Sequence, residues 1–210
     1  MPAPLYLASR SPRRKELLEQ AGIHFLIYVP EEEEMVAPKT LKTLGPGALV
    51  RKIALLKAKA AYRELRQKGV KEGVILAADT LVFLEGKVLG KPENVEDAKD
   101  MLRKLSGNWH QVCTGVSCLS FNTKGGHCKT IHVSSGVKFF ELEEEWINWY
   151  VATGEPMDKA GAYGAQAKGS FLLERFDGSY TNVVGLPLGQ SLALLEEVSG
   201  KKRAYFQGGK

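Results

Sequence analysis

Apolar residues recur along the chain with two periods. Leu5–Ala8 is a short continuous apolar run of strand type, broken by Ser9–Pro12. Arg13–Gln20 reads as a helix, with Leu17, Leu18 and Ala21 on its inner side and Gly22 as its stop. Phe25–Val29 has the composition of a second strand, ended by Pro30. Over residues 46–68, Leu49, Ile53, Leu56 and Ala60 recur at steps of three and four, which predicts a long helix ended by Gly69. Val74–Ala78 is apolar throughout and suits a strand buried on both faces. Leu81–Leu84 and Lys87–Leu89 flank Glu85-Gly86 as a hairpin.

Asn94 is placed to cap a helix reaching about Leu105. His110–Phe121 and Thr130–Phe140 are β-rich and joined by a loop holding Gly125-Gly126. Residues 142–152 read as a helix carrying Trp146, Trp149 and Tyr150, which suit a dimer interface as readily as a core. Phe171–Phe176 and Tyr180–Val184 bracket Asp177-Gly178, a second hairpin signal. Pro187 opens a last helix, Leu188–Val198. This alternation predicts an α/β fold with a mixed sheet, one domain over residues 1–200, and a basic, flexible tail over 201–210.

Composition narrows the class. With 44% apolar and 25% charged residues in 210, the chain is not disordered, collagenous or a coiled coil. No apolar run approaches the roughly 20 residues of a membrane span, and Met1–Ala8 lacks the charged start of a signal peptide. A soluble, cytoplasmic protein with no membrane partner is expected. The net charge of +5 is concentrated in Lys201, Lys202, Arg203 and Lys210, so nucleic-acid binding is weakly indicated. Residues 39–71 hold ten Lys or Arg against Glu64 alone, which fits a face for a small anion at least as well as a DNA surface. Cys113, Cys118 and Cys128 form no CxxC pair and fit a reducing compartment. His127 and Cys128 supply only half of a zinc site.

Five groups of residues carry candidate chemistry. Ser9-Arg10-Ser11-Pro12-Arg13-Arg14 stands where a strand gives way to a helix, with Ser11 able to cap and Pro12 suited to the first turn. Helix N-termini attract anions, so Arg13 and Arg14 there cost about 0.3–1 kcal/mol per charge. A bound phosphate, with Ser9 and Ser11 adding donors, would remove the conflict; arginines turned to solvent are the alternative. Asp79-Thr80 follows the buried run Val74–Ala78, where α/β sheets place their sites. Asp79 there serves as metal ligand or base, or merely as a turn residue. Glu31–Glu34 is a solvated loop or supplies a second carboxylate for Mg²⁺. Lys57, at the border of a buried helical stripe, and Lys91, in Gly90-Lys91-Pro92, are surface lysines or part of a polyphosphate clamp. The last group, Asp158 to Gln166, combines Gly161 and Gly164 with a Gln amide able to read a base edge. No P-loop, GxGxxG, HExxH or GxSxG motif is present.

These blocks together resemble the Maf family. Leu7-Ala8-Ser9-Arg10-Ser11-Pro12-Arg13-Arg14-Lys15-Glu16-Leu17-Leu18 is similar to its opening signature. Ala78-Asp79-Thr80, Gly90-Lys91-Pro92, Leu105-Ser106-Gly107 with His110, Glu155 to Gly164, and Val184-Gly185-Leu186-Pro187-Leu188 follow in family order. The resemblance implies a fold with a mixed twisted sheet flanked by helices, in two lobes around a cleft, similar to inosine triphosphate pyrophosphatases. It implies hydrolysis of a nucleoside triphosphate between the α- and β-phosphates, with Mg²⁺ or Mn²⁺. The family's functional positions fall on Ser9, Arg14, Glu34, Lys57, Asp79, Lys91 and Gln166, with Asp79 and Glu34 toward the metal and Glu33 as the neighbouring register. Arg13, Thr80 and Gln166 match the branch acting on dTTP and UTP. The family often has Ile-Gln-Gly where this chain has Ala165-Gln166-Ala167. A nucleotide-binding regulator of septum formation with little turnover is the alternative. The resemblance implies no stable nucleic-acid partner, and it leaves a homodimer open.

Overall fold

A computed structural model describes residues 2–31 and 43–206. It has a seven-stranded mixed sheet flanked by helices, as the alternation predicts. The strands are β1 (Leu5–Ala8), β2 (Leu26–Ile27), β3 (Gly73–Leu84), β4 (Lys87–Leu89), β5 (Trp109–Asn122), β6 (Gly125–Phe139) and β7 (Leu173–Asp177). Their order is β2-β1-β3-β5-β6-β7, with β4 also on β3. Pairing is parallel for β2 with β1 and β1 with β3, and antiparallel elsewhere. The helices are α1 (Pro12–Gln20), α2 (Pro46–Gln67), α3 (Val95–Leu105), α4 (Glu144–Ala152), α5 (Tyr180–Val184) and α6 (Leu188–Ser199).

Alternation along β3 sorts its side chains between two faces. Val74, Leu76 and Ala78 meet Leu17 and Leu18 of α1 and Leu194, Leu195 and Val198 of α6. Further along the same face, Val82 joins a second apolar cluster with Leu102 and Leu105 of α3 and Ile147 and Tyr150 of α4. Ile75 and Ala77 face the other way, onto Ala58, Ala61 and Leu65 of α2. Between the two clusters of the first face β3 carries Thr80, and β5 carries Thr114 between Val112 and Val116. A polar seam therefore divides that face.

The structure departs from the sequence reading in several places. The strand does not end with the buried run at Ala78: β3 continues through the half-buried Asp79 and Thr80 to Leu84, because β5 pairs with it from Gly73 to Phe83. The β5–β6 loop is shorter than expected, and Gly125 and Gly126 belong to β6. Asn122 Oδ1 accepts from the N–H groups of Lys124 and Gly125 at 2.8 and 3.2 Å and closes the turn early. Tyr180–Val184 is a helix and not the second arm of a hairpin: Ser179 Oγ caps it by accepting from Asn182 N at 3.2 Å, and β7 pairs with β6 instead. The inner stripe of α2 is Leu49, Val50, Ala54, Ala58, Ala60, Ala61 and Leu65, so Leu49 and Ala60 lie on it as expected, while Ile53 and Leu56 are only half-buried. The stripe is mostly alanine because this helix lies close to the sheet; a Cβ on Gly115 of β5 would run into the Val50 carbonyl. Beyond α6 the chain folds back as far as Phe206, which bridges Ile23 while Tyr205 is buried in the α1–α6 core.

Candidate active site

Two strands share one edge of β3 without meeting. β1 pairs with it up to Ala77 and β4 begins at Val82. Among the described residues, Ala78–Leu81 thus has a strand neighbour only on the β5 side. A cavity of about 700 Å³ opens at this break, and Ser9, Arg10, Arg13, Arg14, Lys57, Asp79, Thr80 and Lys91 all line it. The site therefore lies at the carboxyl end of β1 and midway along β3.

Asp79 and Thr80 are consecutive and so point to opposite faces of the strand. Asp79 meets α2, where Lys57 Nζ donates to its Oδ1 at 2.7 Å. Thr80 meets α1 through Arg14. The Arg14 side chain turns inward, leaving the residue only 8% exposed, and its fork is spread over three oxygens. Nε donates to the Gly185 carbonyl at 2.8 Å, Nη1 to Ser9 Oγ at 3.1 Å and Nη2 to Thr80 Oγ1 at 3.0 Å. Ser11 stands at the N-cap of α1 but makes no side-chain cap bond, and no acid occupies the first turn. Its N–H instead donates to Ser9 Oγ at 3.2 Å. The helix start that the sequence singled out thus opens onto the cavity with its cationic side chains.

Arg13 stays on the cavity wall, its Nη1 4.0 Å from Asp158 Oδ2. Asp158 also accepts from Lys159 Nζ at 2.7 Å. Burial pushes the Asp158 carboxyl up, but the bond and charge of Lys159 and the charge of Arg13 outweigh it and hold it below its ordinary value. Lys91 is carried to the cavity by its loop, fixed where Gly161 N–H donates to the Gly90 carbonyl at 2.9 Å.

Gln166 stands apart from this group. Tyr163, Gly164 and Ala165 line the cavity, whereas Gln166 is half-buried at the start of the 3-10 helix Ala167–Leu172 and does not line it. Glu34 and Glu33 lie outside the described residues. Of the acidic run, Glu31 lines the cavity, and its N–H donates to Glu64 Oε1 at 2.9 Å. Of the basic residues over 43–71, Lys57 alone lines it. Trp146 and Trp149 are 51% and 47% exposed, while Tyr150 is fully buried. No described helix is long and apolar enough to cross a membrane.

Several supporting residues were named in the sequence only as parts of a motif block or of the aromatic helix, with no role assigned. Glu155 accepts from the N–H groups of Lys168 and Gly169 at 3.3 and 3.2 Å and from Tyr150 O–H at 3.1 Å. Tyr150 Oη in turn accepts from Gly164 N at 3.1 Å, so one hydrogen-bonded knot ties down the loop that reaches Gln166. His110 Nε2 lies 2.7 Å from Tyr163 Oη, and both rings pack edge-on to Phe139. Burial lowers His110 to about 4, the Asn108 carbonyl offsetting only part of the effect. A buried His or Tyr inside an apolar run reads as core from sequence; only the fold shows which cavity wall it holds.

Comparison with known proteins gives a consistent result. The family model described as Maf-like protein matches residues 4–198. A dTTP/UTP pyrophosphatase of Symbiobacterium thermophilum is 45% identical over 193 residues, covering 92% of this chain and 93% of the relative. Proteins of the same name from Aromatoleum aromaticum and Bacillus cereus are each 42% identical, covering 92% of this chain and 95% and 94% of their own lengths.

Proposed function

The chain belongs to the Maf family, and from that premise we propose that it is a nucleoside triphosphate pyrophosphatase acting on dTTP and UTP, yielding the nucleoside monophosphate and pyrophosphate. The observation that carries the reading at the level of residues is the single cavity in which the Asp79–Lys57 pair faces a helix start bearing Arg13 and Arg14. The seam between two apolar clusters supports a two-lobed arrangement like that of inosine triphosphate pyrophosphatases, with the cavity between the lobes.

On this reading the triphosphate lies along the start of α1, with Arg13, Arg14, Lys57 and Lys91 offsetting its charge and the charge that develops in the transition state. Water attacks the α-phosphorus and the bond to the bridging oxygen breaks. Pyrophosphate leaves, and the water proton passes to Asp79. Lys57 engages Asp79 Oδ1, so Oδ2 is the oxygen assigned to that proton. Ser9 and Thr80 hold Arg14. The apolar wall of Val82, Tyr163 and Ala165 suits the base.

The donor set also fits a divalent cation. Mg²⁺ takes one or two carboxylates and completes its shell with water and phosphate oxygens, and Asp79 and Glu31 line one cavity. As the alternative to its role as base, Asp79 would hold Mg²⁺ or Mn²⁺ together with a carboxylate of the acidic run (Glu31 or Glu34). When bound, the ion polarises phosphate oxygens. Cytoplasm, where nucleoside triphosphates are abundant, is the matching compartment. The test is pyrophosphate release from dTTP, UTP, CTP, 7-methyl-GTP and ITP, with Mg²⁺ or Mn²⁺ and an EDTA control. Metal-dependent release led by dTTP and UTP is expected. Release led by another base overturns the specificity, and no release from folded protein overturns the activity.

A further inference from the structure

We propose that Thr114, buried on β5 directly across from Thr80, is a positioning residue for the hydrolysis, because its hydroxyl fixes Thr80 and through it the Arg14 guanidinium. The inference rests on the pyrophosphatase reading for its kinetic consequence, but not for its geometry.

Thr80 Oγ1 has one hydrogen to give and three neighbours: Arg14 Nη2 at 3.0 Å, Thr114 Oγ1 at 2.9 Å and the Gly185 carbonyl at 3.3 Å. Arg14 only donates, so Thr80 accepts from it and directs its own proton to Thr114 or Gly185. Thr114 Oγ1 in turn has the Asn182 carbonyl at 3.3 Å as an acceptor. Two arrangements satisfy these groups: Thr80 donates to Thr114 and Thr114 to Asn182, or Thr80 donates to Gly185 and accepts from Thr114. In both, the Thr80 proton points away from Arg14. With its proton committed inward, Thr80 presents a fixed lone pair to Arg14.

The far end of this chain is anchored. Asn182 is fully buried, and its Nδ2 donates to the Val112 carbonyl at 2.9 Å and to Ser135 Oγ at 3.0 Å. Gly185, three residues further on, accepts from Arg14 Nε. Thr114 and Arg14 therefore grip the same short segment from β5 and from α1. Thr114 itself is fully buried and is not among the residues lining the cavity, so its role runs through other groups. Interior hydrogen-bond chains of this kind are worth more intact than in part.

The test compares Thr114→Val, which keeps the shape and removes the hydroxyl, with Thr114→Ser, which keeps the hydroxyl. Each is assayed well below its melting temperature. Thr114→Val is expected to lose about tenfold in kcat/KM for dTTP, while Thr114→Ser stays within about twofold of the parent. In ¹H–¹⁵N spectra the Arg14 Nε–H signal should shift or broaden in Thr114→Val and persist in Thr114→Ser. Should Thr114→Val not fold, Thr80→Val cuts the same chain one step earlier and must give the same spectral change. An unaltered Arg14 signal with near-parental kcat/KM in Thr114→Val overturns the proposal, as does an equal loss in Thr114→Ser. If the parent protein itself releases no pyrophosphate, the pyrophosphatase reading has failed, and the Arg14 signal still decides whether Thr114 orients that side chain.

Discussion

Lys57 Nζ lies 2.7 Å from Asp79 Oδ1, and this bond ties the only α2 lysine lining the cavity to the middle of β3. Proton acceptance by a positioned carboxylate contributes typically 10²–10⁴-fold. Asp79→Asn should therefore lower kcat by about that factor, with the far-ultraviolet circular dichroism of the parent retained. Lys57→Met should lower both kcat and kcat/KM. Near-parental turnover by folded Asp79→Asn removes Asp79 from the reaction.

A second prediction concerns acid stability. His110 is 3% exposed and is lowered from its ordinary value to about 4. Between roughly pH 6.5 and 4 the unfolded chain binds a proton that the folded chain does not, so stability falls as pH falls through that window. The full loss is about 3 kcal/mol at most. Urea unfolding at a series of pH values should show this slope in the parent and a flatter one in His110→Gln. Equal slopes would remove His110 as the cause.

Gly115 sets how closely α2 approaches the sheet, since a Cβ there meets the Val50 carbonyl. It is also the direct partner of Asp79 in the β3–β5 register. Gly115→Ala should destabilise by about 1–3 kcal/mol through overpacking. It should also lower kcat by displacing the helix that carries Lys57. Parental melting and turnover together would show that the helix has room to move.

Ala167 has φ of 51°, in the left-handed region that disfavours a side chain. Ala167→Gly relieves a local cost of about 1–2 kcal/mol, partly offset by the greater freedom of glycine in the unfolded chain. Thermal melting should show equal or raised stability. A clear fall in melting temperature would mean that the methyl group makes a contact worth more than the strain.

The elements legible in the sequence were those whose signal is local. Asn94 caps α3 by accepting from Asp97 N at 2.9 Å, as its place before an amphipathic run predicts. Glu85 and Gly86, at φ of 50° and 76°, make the expected hairpin turn. What the sequence concealed depends on partners far along the chain. The continuation of β3 past Ala78 follows from β5, and the inner stripe of α2 follows from Gly115. The site shows the same division. Ser9, Arg13, Arg14, Lys57, Asp79, Thr80 and Lys91 gather at one cavity as the motifs suggest. The inward turn of Arg14 was not legible, because its acceptors include Gly185, 171 residues away. Gln166 stands off because the Glu155–Tyr150 knot, invisible in a linear reading, sets its loop.

The break along β3 also constrains how such a chain can change length. Asp79 and Thr80 reach different helices only because strand side chains alternate. Inserting or deleting one residue between Ala77 and Asp79 would exchange their faces, sending the carboxylate toward α1 and the hydroxyl toward α2. Two residues would restore the faces but slide the pair about 7 Å along the strand, out of reach of Lys57 and Arg14. Gaps in alignments of functioning relatives should therefore avoid this stretch and collect in turns such as Thr123-Lys124, where one residue more or less moves nothing in the cavity.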